Sequence, residues 1–276
     1  MRVLFLSILS FFIISNSSFS QEKKEKENSN SVYTGLKFRS IGPALMSGRI
    51  SDIIIHPKNE NLWYVTAGSG GVWKTENSGT TWNPIFDSQK SYSIGCITMD
   101  PQNNNVLWVG TGENVGGRHV GYGDGIYKSE NGGQTWSKKG LNNSEHISKI
   151  IIHPNNSDVL WVASQGPLWS KGGDRGVYKT TDGGKTWQRK LGDDKWIGAT
   201  DLLIDSRNPD ILYAATWQRH RTVAGYMGGG PGTAIYKSTD GGENWQKLTK
   251  GLPKSNMGKI GLAMSYQNND IIYAAI

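Results

Sequence analysis

The chain has 276 residues, with 36 Gly, 11 Trp and 11 Tyr, only 19% charged residues and a formal net charge of +7. The single cysteine, Cys96, excludes an internal disulfide framework, so stability must come from apolar burial, which a chain of this length can supply. Beyond residue 31 there is no basic block interleaved with aromatics, which argues against a nucleic-acid partner, and no His/Cys set has zinc spacing, so neither metal nor cofactor is expected.

In chain order, Met1-Arg2 is followed by an apolar run from Val3 to Ile14 and then by small residues at Ser18 and Ser20. This is the pattern of a secretory signal peptide over 1–20, because a membrane span needs about 20 apolar residues. Residues 21–32 are almost wholly polar and read as a solvated linker. No further hydrophobic span follows, so the chain is expected to be exported and to carry no membrane span after cleavage.

From residue 33 onward the chain repeats. Gly71–Trp82, Gly125–Trp136, Gly176–Trp187 and Ala234–Trp245 align without gaps, each ending on Trp after an Asn/Asp-x-Gly turn. A second motif, two apolar runs around a polar turn, recurs at 53–65, 97–109, 150–162 and 202–214, and begins again at Leu262. A period of roughly fifty residues with four short strands per unit predicts an all-β propeller of four-stranded antiparallel blades. The expected limits are 49–86, 94–140, 147–191 and 199–249, with the first two strands of a fifth blade at 258–276. In each unit strand A is the apolar run, strand B the aromatic run, strand C the Ile/Val-Tyr-Lys-Ser/Thr run, and strand D begins at the Trp. The missing strands C and D of the fifth unit predict that the natural chain continues. Tyr33–Ile41 is a candidate outer strand for closing such a ring.

Thr180–Trp187 reads Ser/Thr-x-Asp-x-Gly-x-Thr-Trp in full and Ser238–Trp245 departs from it only at Asn244. This resembles the Asp-box of bacterial-neuraminidase-repeat propellers, the group that includes the sortilin ectodomain and secreted xyloglucanases. Phe38–Ile50 also resembles the opening of that group. The matching positions are Asn77 and Trp82, Asn131 and Trp136, Asp182 and Trp187, and Asp240 and Trp245. The carboxylate or amide is expected to cap its own turn and the Trp to pack on the blade edge. The resemblance also implies a glycoside hydrolase as one activity. However, xyloglucanases carry a catalytic Asp where this chain has Gly68, and the Phe-Arg-Ile-Pro opening of sialidases is matched by Phe38–Pro43 only with insertions.

Antiparallel strand order puts the Asp-box turns and the A–B turns on one face, and the B–C loops and D–A crossings on the other. The second, third and fourth B–C loops are long, and long loops in compact repeats are more often functional than short connections. They supply Arg118, His119, Trp169, Arg175, Trp217, Arg219, His220 and Arg221 as candidate ligand-binding residues. Arginines suit carboxylates and aromatics suit sugar rings or peptide side chains. The leading strand-A positions are Asp52, Cys96, Lys149, Asp201 and Gly261. Asp52 and Asp201 are expected to form a solvated ion-pair ring with Lys149; otherwise they, together with Glu113 of the second B–C loop, are the candidate catalytic carboxylates. Two functions are open at this point. One is a scaffold binding extracellular peptide or polysaccharide through the loop face. The other is a carbohydrate-active hydrolase.

Overall fold

The computed structural model describes residues 49–193 and 195–276. The signal and linker segments, the Tyr33–Ile41 strand, the Phe38 opening and Asp194 lie outside them. Among the described residues there is no helix, and the strands form four four-stranded antiparallel sheets, each in the order A-B-C-D. The first holds β1 (Ile50–His56), β2 (Asn59–Ala67), β3 (Gly71–Thr75) and β4 (Asn83–Pro84). The second holds β5 (Ile94–Met99), β6 (Leu107–Thr111), β7 (Ile126–Ser129) and β8 (Ser137–Lys138). The third holds β9 (Ile147–His153), β10 (Asn156–Ser164), β11 (Gly176–Thr180) and β12 (Gln188–Leu191). In the fourth, β13 (Ile197–Ile204) and β14 (Leu212–Gln218) are followed by a small hairpin, β15 (His220–Arg221) and β16 (Tyr226–Met227), before β17 (Ile235–Ser238) and β18 (Gln246–Lys247). A last pair, β19 (Gly261–Met264) and β20 (Ile272–Ala275), begins a fifth sheet. The chain thus has the all-β propeller-blade architecture that the repeats predict. Each strand D starts one residue after its Trp instead of on it.

Successive sheets stack through their A strands, β1 on β5, β5 on β9, β9 on β13 and β13 on β19. This explains why strand A loses polar alternation, since a strand covered on both faces must be apolar throughout. The equivalent residues Ile53 and Ile150 show the dependence directly. Ile150, with the second sheet against it, is 3% exposed, and Ile53, which lacks a preceding sheet among the described residues, is 50% exposed.

The Asp-boxes tighten the outer part of the same seam. Asp182 accepts from Thr180 Oγ1 (2.7 Å), Thr186 N (2.9 Å) and Thr186 Oγ1 (2.6 Å), and these donors hold its carboxyl far below the usual range. Asp240 makes the same set with Ser238 and Asn244. Asn77 and Asn131 keep the acceptor contacts but donate through Nδ2 to Thr81 and Thr135, so the Asp-to-Asn exchange reverses one hydrogen bond without opening the turn. The Trp side chains reach the preceding sheet, Trp136 donating to Ile85 O and Trp187 to Lys139 O. Trp82 of the first sheet instead packs edge-on against its own Trp63, and Trp245 donates to Gly242 O within its own turn.

The turn glycines seat against buried tryptophans of the sheet before. A Cβ on Gly184 would lie 2.8 Å from Trp108, and one on Gly242 2.6 Å from Trp161 Nε1. Both glycines also have φ of +80°. Gly251 has φ of +76° but open space around it. Gly251→Ala should therefore cost about 1 kcal/mol for left-handed backbone alone, and Gly242→Ala a further 1–3 kcal/mol or so for overpacking the seam. Urea denaturation of the two variants checks this, and equal midpoints would contradict the inter-sheet role of the Asp-box turn.

Candidate functional site

The candidate carboxylates decide what chemistry the chain's own groups can do. Asp52, Cys96, Lys149, Asp201 and Gly261 occupy equivalent register positions, opposite Thr66, Gly110, Ala163, Ala215 and Ala275. In the first four sheets a β-bulge precedes this position. Asp52 Oδ2 accepts from Ile97 N (3.1 Å) and Asp201 Oδ2 from Leu262 N (2.8 Å), in each case across the seam. Their Oδ1 atoms accept from the following amides, Ile53 N and Leu202 N. Cys96 holds the same position in the second sheet, where burial pushes its thiol pKa well up. Neither aspartate pairs with Lys149 among the described residues, so the ion-pair ring expected from sequence is replaced by backbone clasps between sheets. Burial raises the Asp201 pKa against the two amides and the charge of Lys149.

Glu113 is buried, and its Oε1 pairs with Arg49. The carboxylate lies against Gly68, where an added Cβ would come within 2.6 Å of Oε1. Glu113 O meets His146 Nδ1 at 3.0 Å. His146 is fully buried, and burial together with the charges of Arg219 and Arg175 lowers its pKa to about 3. Glu113 Oε2, His146 Nε2, Gln165 Oε1 and Arg219 Nε are buried without a hydrogen-bond partner, with Glu145 Oε2 lying 4.0 Å from His146 Nε2. Among the described residues no three His, Cys, Asp or Glu side chains group as a metal site.

The long loops do not splay into solvent as separate arms. Their arginines sew them together through backbone carbonyls. Arg175, expected at the surface, is wholly buried and donates to the carbonyls of Gly172 (2.7 Å), Gln165 (3.0 Å), Pro167 and Ser170. Arg219 is likewise buried and reaches Val115 O (3.1 Å) and Gly166 O (2.8 Å), linking the second, third and fourth loops. Trp217 is buried too and donates to Gly228 O. These three positions are corrections to the sequence reading. A guanidinium can be buried when carbonyls take its donors, and these loops are rich in glycine backbone. Burial first and the charge of Arg175 second lower the Arg219 pKa to about 9.

Other candidates remain accessible. Arg118 is exposed and donates to Val223 O, His119 is exposed, and Trp169 is exposed with its carbonyl 3.3 Å from His220 Nε2. His220 also lies against Trp196, ring centroids 4.1 Å apart. Arg221 is half-buried, donates twice to Gly116 O (3.1 and 2.9 Å) and sits 4.2 Å over the Tyr226 ring. Together with Gly116, Trp217 and Lys259 these last two residues line an open groove of about 530 Å³. A second depression of about 460 Å³ lies beside His119 and Tyr122. Lys259 was not singled out by motif. It follows the fourth blade on a D–A crossing, which the strand directions already assign to this face. Although the residue is exposed as a whole, its ammonium donates to Asn114 O (2.7 Å) and lies 5.7 Å from the Trp217 ring.

The family model described as "Sortilin-Vps10: Sortilin, neurotensin receptor 3" matches residues 124–275. The oligoxyloglucan-reducing end-specific xyloglucanase of Emericella nidulans is 23% identical over 230 residues, covering 75% of this chain and 25% of that protein. The xyloglucanase of Hypocrea jecorina is 26% identical over 240 residues, covering 78% and 27%. Among solved structures, an ancestral GH74 enzyme superposes with a TM-score of 0.58 at 22% identity, covering 78% of this chain and 27% of that one. The chain spans about a quarter of the length of the relatives it matches.

Two outcomes follow from the buried groups. Asp201→Ala should leave the Leu262 amide without its acceptor and cost about 1–3 kcal/mol, read as a lowered thermal midpoint. For His146, both states are neutral above pH 6.5, and below it the unfolded chain gains a proton that the buried ring refuses until about pH 3. Stability is therefore lost as pH falls through that window, by up to about 4 kcal/mol from this group. His146→Gln should flatten that part of the stability profile, and an unchanged slope would contradict the assignment.

Proposed function

The chain belongs to the Sortilin-Vps10 family, and from that premise we propose that it is an exported propeller that binds extracellular polysaccharide on its B–C loop face. The observation that carries this reading is the groove built jointly by the second and fourth loops, with the Tyr226 ring, Arg221 and Lys259 at one open surface. Loops braced by buried arginines cost little further ordering when a ligand arrives, which favours affinity from modest contact area. An aromatic ring beside hydrogen-bond donors suits a pyranose, whose faces are apolar and whose rim is polar. That the relatives are xyloglucanases supports a polysaccharide over an extracellular peptide as the ligand class. Export is attributed to the signal-like segment 1–20.

A second reading, a glycoside hydrolase, is favoured by the same relatives. Against it, glycosidases of the common kind use two carboxylates flanking the bond that breaks. Asp52 and Asp201 accept backbone amides across the seams, and Glu113 is buried against Arg49 and Gly68. None of them lines the groove. Binding without turnover is the function these residues support.

Titration calorimetry and reducing-end assays on a panel of polysaccharides test the two readings. The expected result is saturable binding, weakened about tenfold or more by Tyr226→Ala, as for an aromatic anchor at the centre of an interface. No reducing ends should be released. Turnover that disappears in Glu113→Gln, Asp52→Ala or Asp201→Ala would establish the hydrolase instead.

A further inference from the structure

The groove of the loop face carries two cations, and no carboxylate is among its lining residues. Arg221 directs both Nε and Nη2 at one carbonyl, Gly116 O, which leaves Nη1 without an acceptor among the described residues. Lys259 uses one of its three ammonium protons on Asn114 O. Arg219 packs on the Trp217 ring, 5.2 Å from its centroid, and is buried with its Nε unpartnered. None of the three forms an ion pair among the described residues, where every recorded pair involves other cations. Glu145 and Asp201 act on Arg219 and Lys259 only at longer range. Burial first and the charge of Arg219 second lower the Lys259 pKa to about 8.

A neutral glucan would cover these charges with hydroxyls and leave them uncompensated in a partly desolvated site, which is unfavourable. A sugar acid meets both requirements of the groove, offering a ring face to Tyr226 and a carboxylate to a guanidinium with free donors. Gly116 lets the second loop pack closely against the groove's aromatics, since a Cβ there would lie 3.1 Å from the Trp217 ring and closer still to the Tyr226 hydroxyl. Resting on the glycan-binding reading above, we propose that this groove is a subsite for uronic-acid units of an anionic polysaccharide. Arg221 and Lys259 receive the carboxylate, and the sugar ring lies against Tyr226.

Calorimetry with hexagalacturonate, with a mannuronate hexamer and with the carboxyl-reduced form of each tests this on the full chain. At least one acidic hexamer should bind about tenfold or more tightly than its reduced form, a difference of about 1.4 kcal/mol. That preference should weaken as salt rises. Arg221→Gln should abolish the preference and Lys259→Gln reduce it, while retained binding of the carboxyl-reduced hexamers by both variants shows that the groove keeps its shape. Equal affinity for acidic and reduced hexamers, a preference that survives Arg221→Gln, or binding of neutral xyloglucan without either acid would overturn the uronate assignment and leave glycan binding standing. Failure of every polysaccharide, acidic or neutral, to bind would remove both.

Discussion

A sheet of four short antiparallel strands has two apolar faces, and among the described residues the second, third and fourth sheets are covered by the sheets before and after them. The seam between neighbours is therefore the interaction on which the rest of the structure depends, and it is held at three depths. At the inner strands, Asp52 and Asp201 accept an amide of the next sheet, while Ser148 and Thr200 donate to carbonyls of the next segment, Ala199 O and Ile260 O. In the middle, buried side chains from adjacent sheets form continuous clusters, such as Cys96, Trp108 and Ile126 with Ile147, Ile150 and Leu160. At the outside, the Asp-box glycines and tryptophans close over the preceding sheet. Stability in such an array comes from neighbour contacts more than from any sheet alone.

Because the seams fix the sheets, the opposite ends of the strands are free to carry long loops. Those loops are then made rigid by a different device. Buried and half-buried guanidinium groups take carbonyls from loops more than a hundred residues away in sequence, as Arg219 does with Val115 and Arg221 with Gly116. The device leaves positive charge at the surface it creates, since carbonyls satisfy donors without neutralising them. The cationic groove and the depressed pKa of Lys259 are consequences of the way the loops are braced.

Much of the frame was legible in the chain. Repeated Asp-boxes and paired apolar runs place the strands and their order, and strand direction alone puts Lys259 on the loop face. The loops' interior was not legible. Arg175 and Arg219 look like surface ligands because an arginine in a glycine-rich loop usually is one, and nothing local announces carbonyls arriving from another blade. Alternation gave a partial warning, since Trp217, Arg219 and Arg221 continue the spacing of two from β14 and so share a side. The aspartates misled for a related reason. Asp52 and Asp201 follow a bulge and accept the next sheet's amides, and bulge position depends on pairing with a strand about a dozen residues further on.

If a ligand meets the braced loop face, the Asp-box face should stay untouched. Hydrogen–deuterium exchange with a bound oligosaccharide measures this most directly. The account predicts added protection in 114–118 and 217–228 together, with the turns at 181–186 and 239–244 unchanged. Protection confined to those Asp-box turns would contradict it.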